Sequence, residues 1–129
     1  MAMHPYVTIG ASPVVPSFAF YDAVLAAIGW SSHASFAGGR GYSQGGTGEG
    51  FSVWVVKPFD GAPASAGNGA MVGFPAASQA EVDAFYAAGM AQGGTDEGAP
   101  GLRPQYGPDW YAAYLRDPCG NKIAVVFNG

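Results

Sequence analysis

The stretch FYDAVLAAIG at residues 20–29 returns in altered form as FYAAGMAQGG at residues 85–94. Five of the ten positions are identical when Phe20 is aligned with Phe85: the Phe-Tyr pair, two alanines and the closing glycine. The whole chain has only 129 residues. A repeat of this kind in so short a chain indicates two half-size modules that share one core.

Both copies of the repeat are typical of helices. In the first copy apolar residues recur at helical spacing and Gly29 follows as a stop signal. The second copy is preceded by SQAE at 78–81, a capping box in which Ser and Glu satisfy free N–H groups. The predicted apolar stripes are Phe18, Tyr21, Leu25 and Ile28 in the first helix and Val82, Phe85, Tyr86 and Met90 in the second.

Strand patterns surround both helices. Short apolar runs precede them at 6–9 and 71–74, and aromatic and β-branched runs follow at 51–56, 110–115 and 123–127, with weaker ones around Phe36 and Tyr42. The turn formers DPCGN at 117–121 predict a hairpin between the last two strands. This order predicts an α+β fold of two βαβββ modules within one domain, residues 1–129. The modules span about 1–60 and 69–129, with a linker between Asp60 and Asn68. We expect Asp96 and Glu97 to lie in a Gly-rich loop.

Composition limits the possible partners. Apolar residues make up 49% of the chain and charged residues only 11%, against about 25% in an average domain. A surface so poor in charge leaves apolar area that a homodimer would cover. The net charge of −4 and the scattered basic residues argue against nucleic acid.

The expected compartment is the cytoplasm. No apolar run approaches the ~20 residues of a membrane span, and the N-terminal residues 1–5 lack the pattern of a signal peptide. The single Cys119 cannot form an internal disulfide, which suits a reducing compartment.

The order of motifs resembles the vicinal-oxygen-chelate superfamily of glyoxalases, bleomycin-resistance proteins and extradiol dioxygenases. The motifs are VTIG at 7–10, FYDAVL at 20–25, GNG at 67–69, GG at 93–94, GAPGLRP at 98–104, RDP at 116–118 and GNKI at 120–123. The resemblance implies that the modules form a curved mixed sheet around a central cleft. In that family a divalent metal in the cleft, held by His and Glu side chains, stabilises charge on two neighbouring substrate oxygens.

The resemblance also locates the metal-ligand positions, and none holds a typical ligand here. Tyr6 stands where a His often precedes the VTIG run, and Met71 stands where a His follows Asn-Gly. These two positions are related by the same offset that relates the two copies of the helix repeat. Ala124 replaces the Glu expected after Asn-Lys-Ile, and the strand at 51–56 has no ligand for the fourth position. We therefore expect no metal and no other cofactor.

Few other residues could restore a metal. His4 would face the same way as Tyr6 and is the one candidate; the alternative is an exposed histidine preceding Pro5. We interpret His33 as a surface or strand-edge histidine. Cys119 has Arg116 and Lys122 nearby in sequence but no histidine, which argues against a nucleophile.

Without a metal the cleft would suit small molecules that are flat and apolar or aromatic, or that carry an anionic group. Arg103 could bind a carboxylate, or it could pair with an acidic neighbour. The predicted cleft residues are Tyr6, Trp54, Met71, Arg103, Tyr106, Tyr114 and Ala124. Three hypotheses stay open: a metal-independent binding protein, an enzyme of lactoylglutathione-lyase or dioxygenase type with restored or different ligands, and a structural domain with a collapsed cleft.

Overall fold

The computed structural model describes residues 3–129, so Met1 and Ala2 of the N-terminal stretch lie outside the described residues. Within residues 3–129, strand, helix and three strands follow one another twice, which confirms the α+β fold with two βαβββ modules. The first module contains β1 (Tyr6–Gly10), α1 (Val14–Ala26), β2 (Trp30–Phe36), β3 (Gly39–Gln44) and β4 (Ser52–Val56). The second contains β5 (Val72–Pro75), α2 (Gln79–Ala91), β6 (Thr95–Leu102), β7 (Trp110–Arg116) and β8 (Lys122–Asn128).

Each module folds into a four-stranded mixed sheet of the same topology. The strand orders are β1-β4-β3-β2 and β5-β8-β7-β6. The first strand of each module pairs in parallel with its last strand, and the other pairs are antiparallel. The helix supplies the crossover that a parallel pair requires. Both edges of each sheet are therefore formed by the strands that flank the helix, namely β1 and β2 or β5 and β6.

The repeat seen in the sequence extends beyond its identical residues. The offset that aligns Phe20 with Phe85 also aligns both ends of α1 with those of α2, and the start of β2 with the start of β6. The later strands lose this offset because the second module has a longer connection before β7. The two modules are thus structural copies over their first three elements.

The predicted capping box closes the start of α2, with one difference. Ser78 Oγ accepts the N–H of Glu81 at 3.1 Å. Glu81 Oε1 accepts the N–H of Ala77 at 2.8 Å instead of that of Ser78. Helix α1 instead begins after Pro13 without a side-chain cap, and its C-terminal stop at Gly29 has φ +79° as predicted.

The expectation of a loop at Asp96 and Glu97 was wrong, because both lie in β6. This strand is TDEGAPGL, which after Thr95 has none of the β-branched or aromatic residues that favour strands. It pairs with β7 through two register shifts, on either side of Gly98. The aromatic β7 therefore imposes extended structure on a neighbour whose own sequence does not favour it.

One apolar core joins the two modules. Trp30 of the first module meets Phe74 of the second edge-on, with ring centroids 5.6 Å apart. The two helices pack closely because α2 carries Gly89, where an added Cβ would overlap Leu115 and lie 3.2 Å from Val24. Each helix thus packs on the sheet of its own module and on the other helix.

Alternation along the strands gives each sheet a second face, turned away from the core. Val53 and Val55 in β4 are fully buried in the core, so Trp54 between them lies on this outer face. Ile123 and Val125 place Ala124 on the outer face of the other sheet in the same way. No helix within residues 3–129 has the length and apolar character needed to cross a bilayer.

Candidate functional site

Strand register identifies the four equivalent positions in the two modules. Thr8 in β1 lies opposite Trp54 in β4. Its counterpart at the offset of the repeat, Gly73 in β5, lies opposite Ala124 in β8. Trp54 is therefore the first-module equivalent of Ala124, just as Tyr6 is the equivalent of Met71. The resemblance associates Tyr6, Met71 and Ala124 with metal ligands, and register adds Trp54 as the fourth equivalent position.

The first-module pair lines a cavity of about 460 Å³ on the outer face of its sheet. We name it the first-module cavity; it is lined by Met3, His4, Tyr6, His33, Gly48, Gly50, Ser52 and Trp54. The indole of Trp54 lies flat over Gly41, where an added Cβ would come within 2.8 Å of three ring atoms. Its Nε1 donates to Ser52 Oγ at 3.1 Å. The ring is thus fixed in place, with apolar surface available beside the cavity.

His33 lies on the edge strand β2 as expected, but its ring faces this cavity. It meets Trp54 edge-on at 5.2 Å between ring centroids. Its Nδ1 is 2.9 Å from Oγ of the buried Ser43, which also accepts the N–H of Gly48 at 2.8 Å. The hydroxyl and Nδ1 share this hydrogen bond, and its direction follows the tautomer of the ring. Nε2 has no hydrogen-bond partner within residues 3–129.

The second-module pair lines a separate cavity of about 500 Å³. We name it the second-module cavity; it is lined by Met71, Gly73, Phe74, Pro75, Ala76, Trp110, Tyr114, Ala124, Val126 and Asn128. Ala124 lies directly between Gly73 and Tyr114 in the sheet. The trio forms a floor of two small residues and one aromatic ring, and none of the lining residues is charged.

Two predicted cleft residues line neither cavity. Arg103 donates to the carbonyls of Gly101 and Ala99 at 2.9 and 2.8 Å, and its guanidinium lies 5.4 Å from the centroid of the Tyr114 ring. It has no acidic partner within residues 3–129. Tyr106 is 62% exposed and packs against Trp110, with centroids 5.8 Å apart.

The predicted residues are thus divided between two cavities that have no residue in common. Tyr6 and Trp54 line one, whereas Met71, Tyr114 and Ala124 line the other. His33 and Trp110 also line these cavities and were not predicted from the sequence. Strand alternation could have found Trp110, which is in phase with Tyr114. It could not have found His33, which lies in a β-bulge between Ser32 and Ala34.

The residues at the four equivalent positions do not fit a divalent metal of the kind the family uses. The side chains of Trp54 and Ala124 have no atom that can coordinate a metal ion, and the Met71 thioether is a soft ligand. Within residues 3–129 no three His, Cys, Asp or Glu side chains are grouped so that they could hold an ion. His4 and His33 do share the first-module cavity, which gives that cavity two imidazoles.

The side chains whose pKa is strongly shifted, Tyr21 and Tyr42, lie outside both cavities. Burial raises the pKa of Tyr21 well above its ordinary value, and the nearby Asp117 carboxylate adds to the rise. Burial also raises the pKa of Tyr42, together with its hydrogen bond to Asp22. These groups belong to the packing of α1.

Cys119 lies in the turn between β7 and β8 and contacts the first module. It is half-buried, and its Sγ lies 3.5 Å from Ser17 Oγ and 3.8 Å from the carbonyl of Ser12. No histidine within residues 3–129 contacts the thiol. The contacts place Cys119 in the packing between the modules and outside both cavities.

Solved structures resemble this chain along its whole length. A glyoxalase/bleomycin resistance protein from Albidiferax ferrireducens T118 is 37% identical, with 99% of this chain and 100% of that chain covered and a TM-score of 0.85. A glyoxalase/bleomycin resistance protein/dioxygenase family enzyme from Burkholderia phytofirmans PsJN is 21% identical, with 96% and 97% covered and a TM-score of 0.70.

Lactoylglutathione lyase from Agrobacterium tumefaciens is 20% identical, with 98% of this chain and 92% of that chain covered and a TM-score of 0.64. At such identities the last two structures share the fold alone. No protein-family profile and no curated protein sequence matches the chain.

Proposed function

The chain belongs to the glyoxalase/bleomycin resistance/dioxygenase superfamily, and we propose that within it this protein binds small molecules without a metal. The observation that carries the proposal is the set of side chains at the four equivalent positions, where Tyr6, Trp54, Met71 and Ala124 replace the family's His and Glu. Aromatic and apolar side chains at these positions favour burial and stacking of a flat ligand over coordination.

The first-module cavity offers one surface for such a ligand. The Trp54 ring is held against Gly41 and by its bond to Ser52, so stacking on it costs little ordering. The Nε2 atom of His33 supplies a polar group beside that ring. A planar molecule with a polar atom at its rim matches both features.

Calorimetric titration with 2-naphthol tests ligand binding in this cavity. We expect Trp54→Ala to weaken the affinity about tenfold, since stacking on one ring contributes ~1 kcal/mol or more. The matched control is Trp110→Ala, which removes an indole from the other cavity and leaves this affinity unchanged. Equal affinities for wild type and Trp54→Ala would rule out binding on that ring.

Titration of the chelator-treated protein with Zn²⁺, Mn²⁺ and Ni²⁺ tests the proposal that the protein binds no metal. We expect no stoichiometric binding at micromolar concentration. The competing function is a lyase or dioxygenase of the lactoylglutathione-lyase or extradiol type, and the shared position of His4 and His33 is the observation that favours it. Stoichiometric binding that is lost in His4→Ala would establish that alternative.

The expected homodimer and cytoplasmic location stay part of the proposal, as do module boundaries of about 1–60 and 69–129. Four large exposed apolar side chains lie on or beside the edge strands: Tyr6, Phe36, Met71 and Leu102. Exposed apolar side chains of this size favour association with a second copy. Light scattering after gel filtration should give twice the 13.1 kDa chain mass, and a monomer would contradict the dimer.

A further inference from the structure

Basic residues gather at one end of the second-module sheet, although the chain is acidic. Arg116 and Lys122 face each other across β7 and β8 on the outer face, as the next pair on that face after Tyr114 and Ala124. Both basic residues line a further cavity of about 570 Å³ formed with residues 66–71. This cavity meets the second-module cavity at Met71. Neither cavity is lined by an Asp or Glu of the described residues.

Of these basic groups, Lys122 carries the uncompensated charge. Arg116 forms an ion pair with Glu97 and donates to the carbonyl of Gly120 at 2.8 Å. The Lys122 ammonium has no hydrogen-bond or ion-pair partner within residues 3–129. It lies 5.9 Å from the centroid of the Tyr114 ring. A cation that is half-buried beside an aromatic ring and lacks a counter-ion favours an anion nearby.

The spacing of these features sets the size of the ligand. The floor of Gly73, Ala124 and Tyr114 is apolar and uncharged. Lys122 lies two positions along β8 from Ala124, a separation of roughly 7 Å in a strand. A ligand that uses both features needs an apolar or aromatic body and an anionic group about that far from its centre.

From this juxtaposition we propose that the second-module cavity binds small amphipathic carboxylates, with the carboxylate at Lys122 and the apolar body over Ala124 and Tyr114. The proposal rests on the proposed function and names the ligand class for one of its two cavities. Arg103, which also lies against the Tyr114 ring, adds positive potential without a direct contact. Its guanidinium is already bonded to two carbonyls.

The test is calorimetry with three matched probes, 3-phenylpropionate, 3-phenylpropanamide and 3-phenylpropylamine, which differ in charge but little in shape. We expect the acid to bind about tenfold more tightly than the amide, and the amine least tightly. The preference should shrink as salt is raised, because the ammonium is partly exposed to solvent.

Two variants separate the parts of the site. Lys122→Gln should abolish the preference for the acid but keep the weak binding of the amide. Lys57→Gln is the matched control, since it removes an exposed lysine of the first module and should leave the preference unchanged. Gly73→Leu should remove binding of all three probes, because an added Cβ there meets no atom within 4 Å and the side chain can fill the cavity.

Equal affinities for acid and amide in the wild type would overturn the proposal, whatever the variants do. If Gly73→Leu still abolished the binding of both probes, the cavity would remain a binding site for small molecules. Only the assignment of carboxylates as its ligand class would then be wrong. Failure of all three probes would also overturn it, while 2-naphthol binding at Trp54 would still support the proposed function. A Gly73→Leu protein with altered mass in solution and unaltered affinity would assign this face to a second copy and overturn the ligand site.

Discussion

Because Gly41 has no side chain, the indole ring of Trp54 can lie directly against the strand β3. The indole occupies the space above this glycine in β3, and its edge meets the His33 ring. A Cβ at position 41 would overlap the ring, so any larger residue there requires the ring to move. The orientation of the proposed stacking surface therefore depends on a residue that does not itself line the cavity.

Gly41→Ala tests this dependence. The new Cβ would lie within 2.8 Å of three ring atoms, so we expect a loss of about 1–3 kcal/mol in the free energy of unfolding and weaker binding of 2-naphthol. Urea denaturation and calorimetry measure the two effects. Gly73→Ala is the control, because its Cβ meets no atom within 4 Å. Equal stability of the two variants would mean that the ring moves aside freely.

Tyr21 should make the fold sensitive to alkali. Its hydroxyl donates to Asp117 Oδ2 at 2.7 Å, and burial raises its pKa well above 10.0. The unfolded chain releases this proton near pH 10 whereas the folded chain keeps it. The unfolding free energy is therefore complete below about pH 10 and falls above it, by up to ~1.4 kcal/mol per pH unit.

Tyr21→Phe should reduce that alkaline slope to the part contributed by Tyr42, whose pKa is also raised. It should also lower stability at neutral pH by about 1 kcal/mol, the value of one hydrogen bond. Asp117 keeps three other donors, from Cys119 and Asn121. Urea denaturation at pH 7 to 11 measures both effects, with the exposed Tyr106→Phe as a control. An unchanged slope in Tyr21→Phe would show that other groups cause the alkaline sensitivity.

Identities of site residues could be predicted where a repeat or a motif fixed the position. Tyr6 and Met71 followed from the resemblance and are related by the offset of the repeat, and register now gives Trp54 as the first-module equivalent of Ala124. The distribution over two cavities could not be predicted, because it depends on how the two sheets pack around one core. The conformation of Arg103 could not be predicted either, since backbone carbonyls compete with carboxylates for its guanidinium.

Among the elements, the two helices differ in how their starts are stabilised. Helix α2 has the Ser78 cap, whereas α1 follows Pro13 with no side-chain cap and depends on its buried face. Ser78→Ala should therefore lower the free energy of unfolding by about 1 kcal/mol. Thermal or urea unfolding measures this, with Ser65→Ala in the exposed linker as the matched control. A neutral result would mean that solvent satisfies the N–H of Glu81 as well as the Ser78 hydroxyl does.

The elements that were predictable are those whose own sequence favours them. Helical spacing and capping residues identified α1 and α2, and aromatic or β-branched runs identified β4, β7 and β8. Strand β6 was not predicted because its pairing with β7 outweighs the low strand preference of its Gly, Pro and acidic residues. An edge strand formed by its neighbour leaves little signal in its own residues.

At the scale of the whole molecule, the shared core should make the two modules unfold together. Trp30 packs on Phe74 across the module boundary, and Val82 of α2 is fully buried in the same core. A cavity made in the second module should therefore destabilise the first module equally. Independent modules would instead lose stability only where the change is made.

Val82→Ala in a background of Trp30→Phe and Trp110→Phe tests this cooperativity. In that background the remaining tryptophan is Trp54, whose contacts with Gly41, Ser52 and His33 all lie in the first module, so fluorescence reports on that module. We expect the fluorescence midpoint in urea to fall by the equivalent of about 2 kcal/mol, together with the midpoint from circular dichroism. A fluorescence midpoint that stays in place while circular dichroism shifts would show two separable modules, and the single core would then be the wrong description.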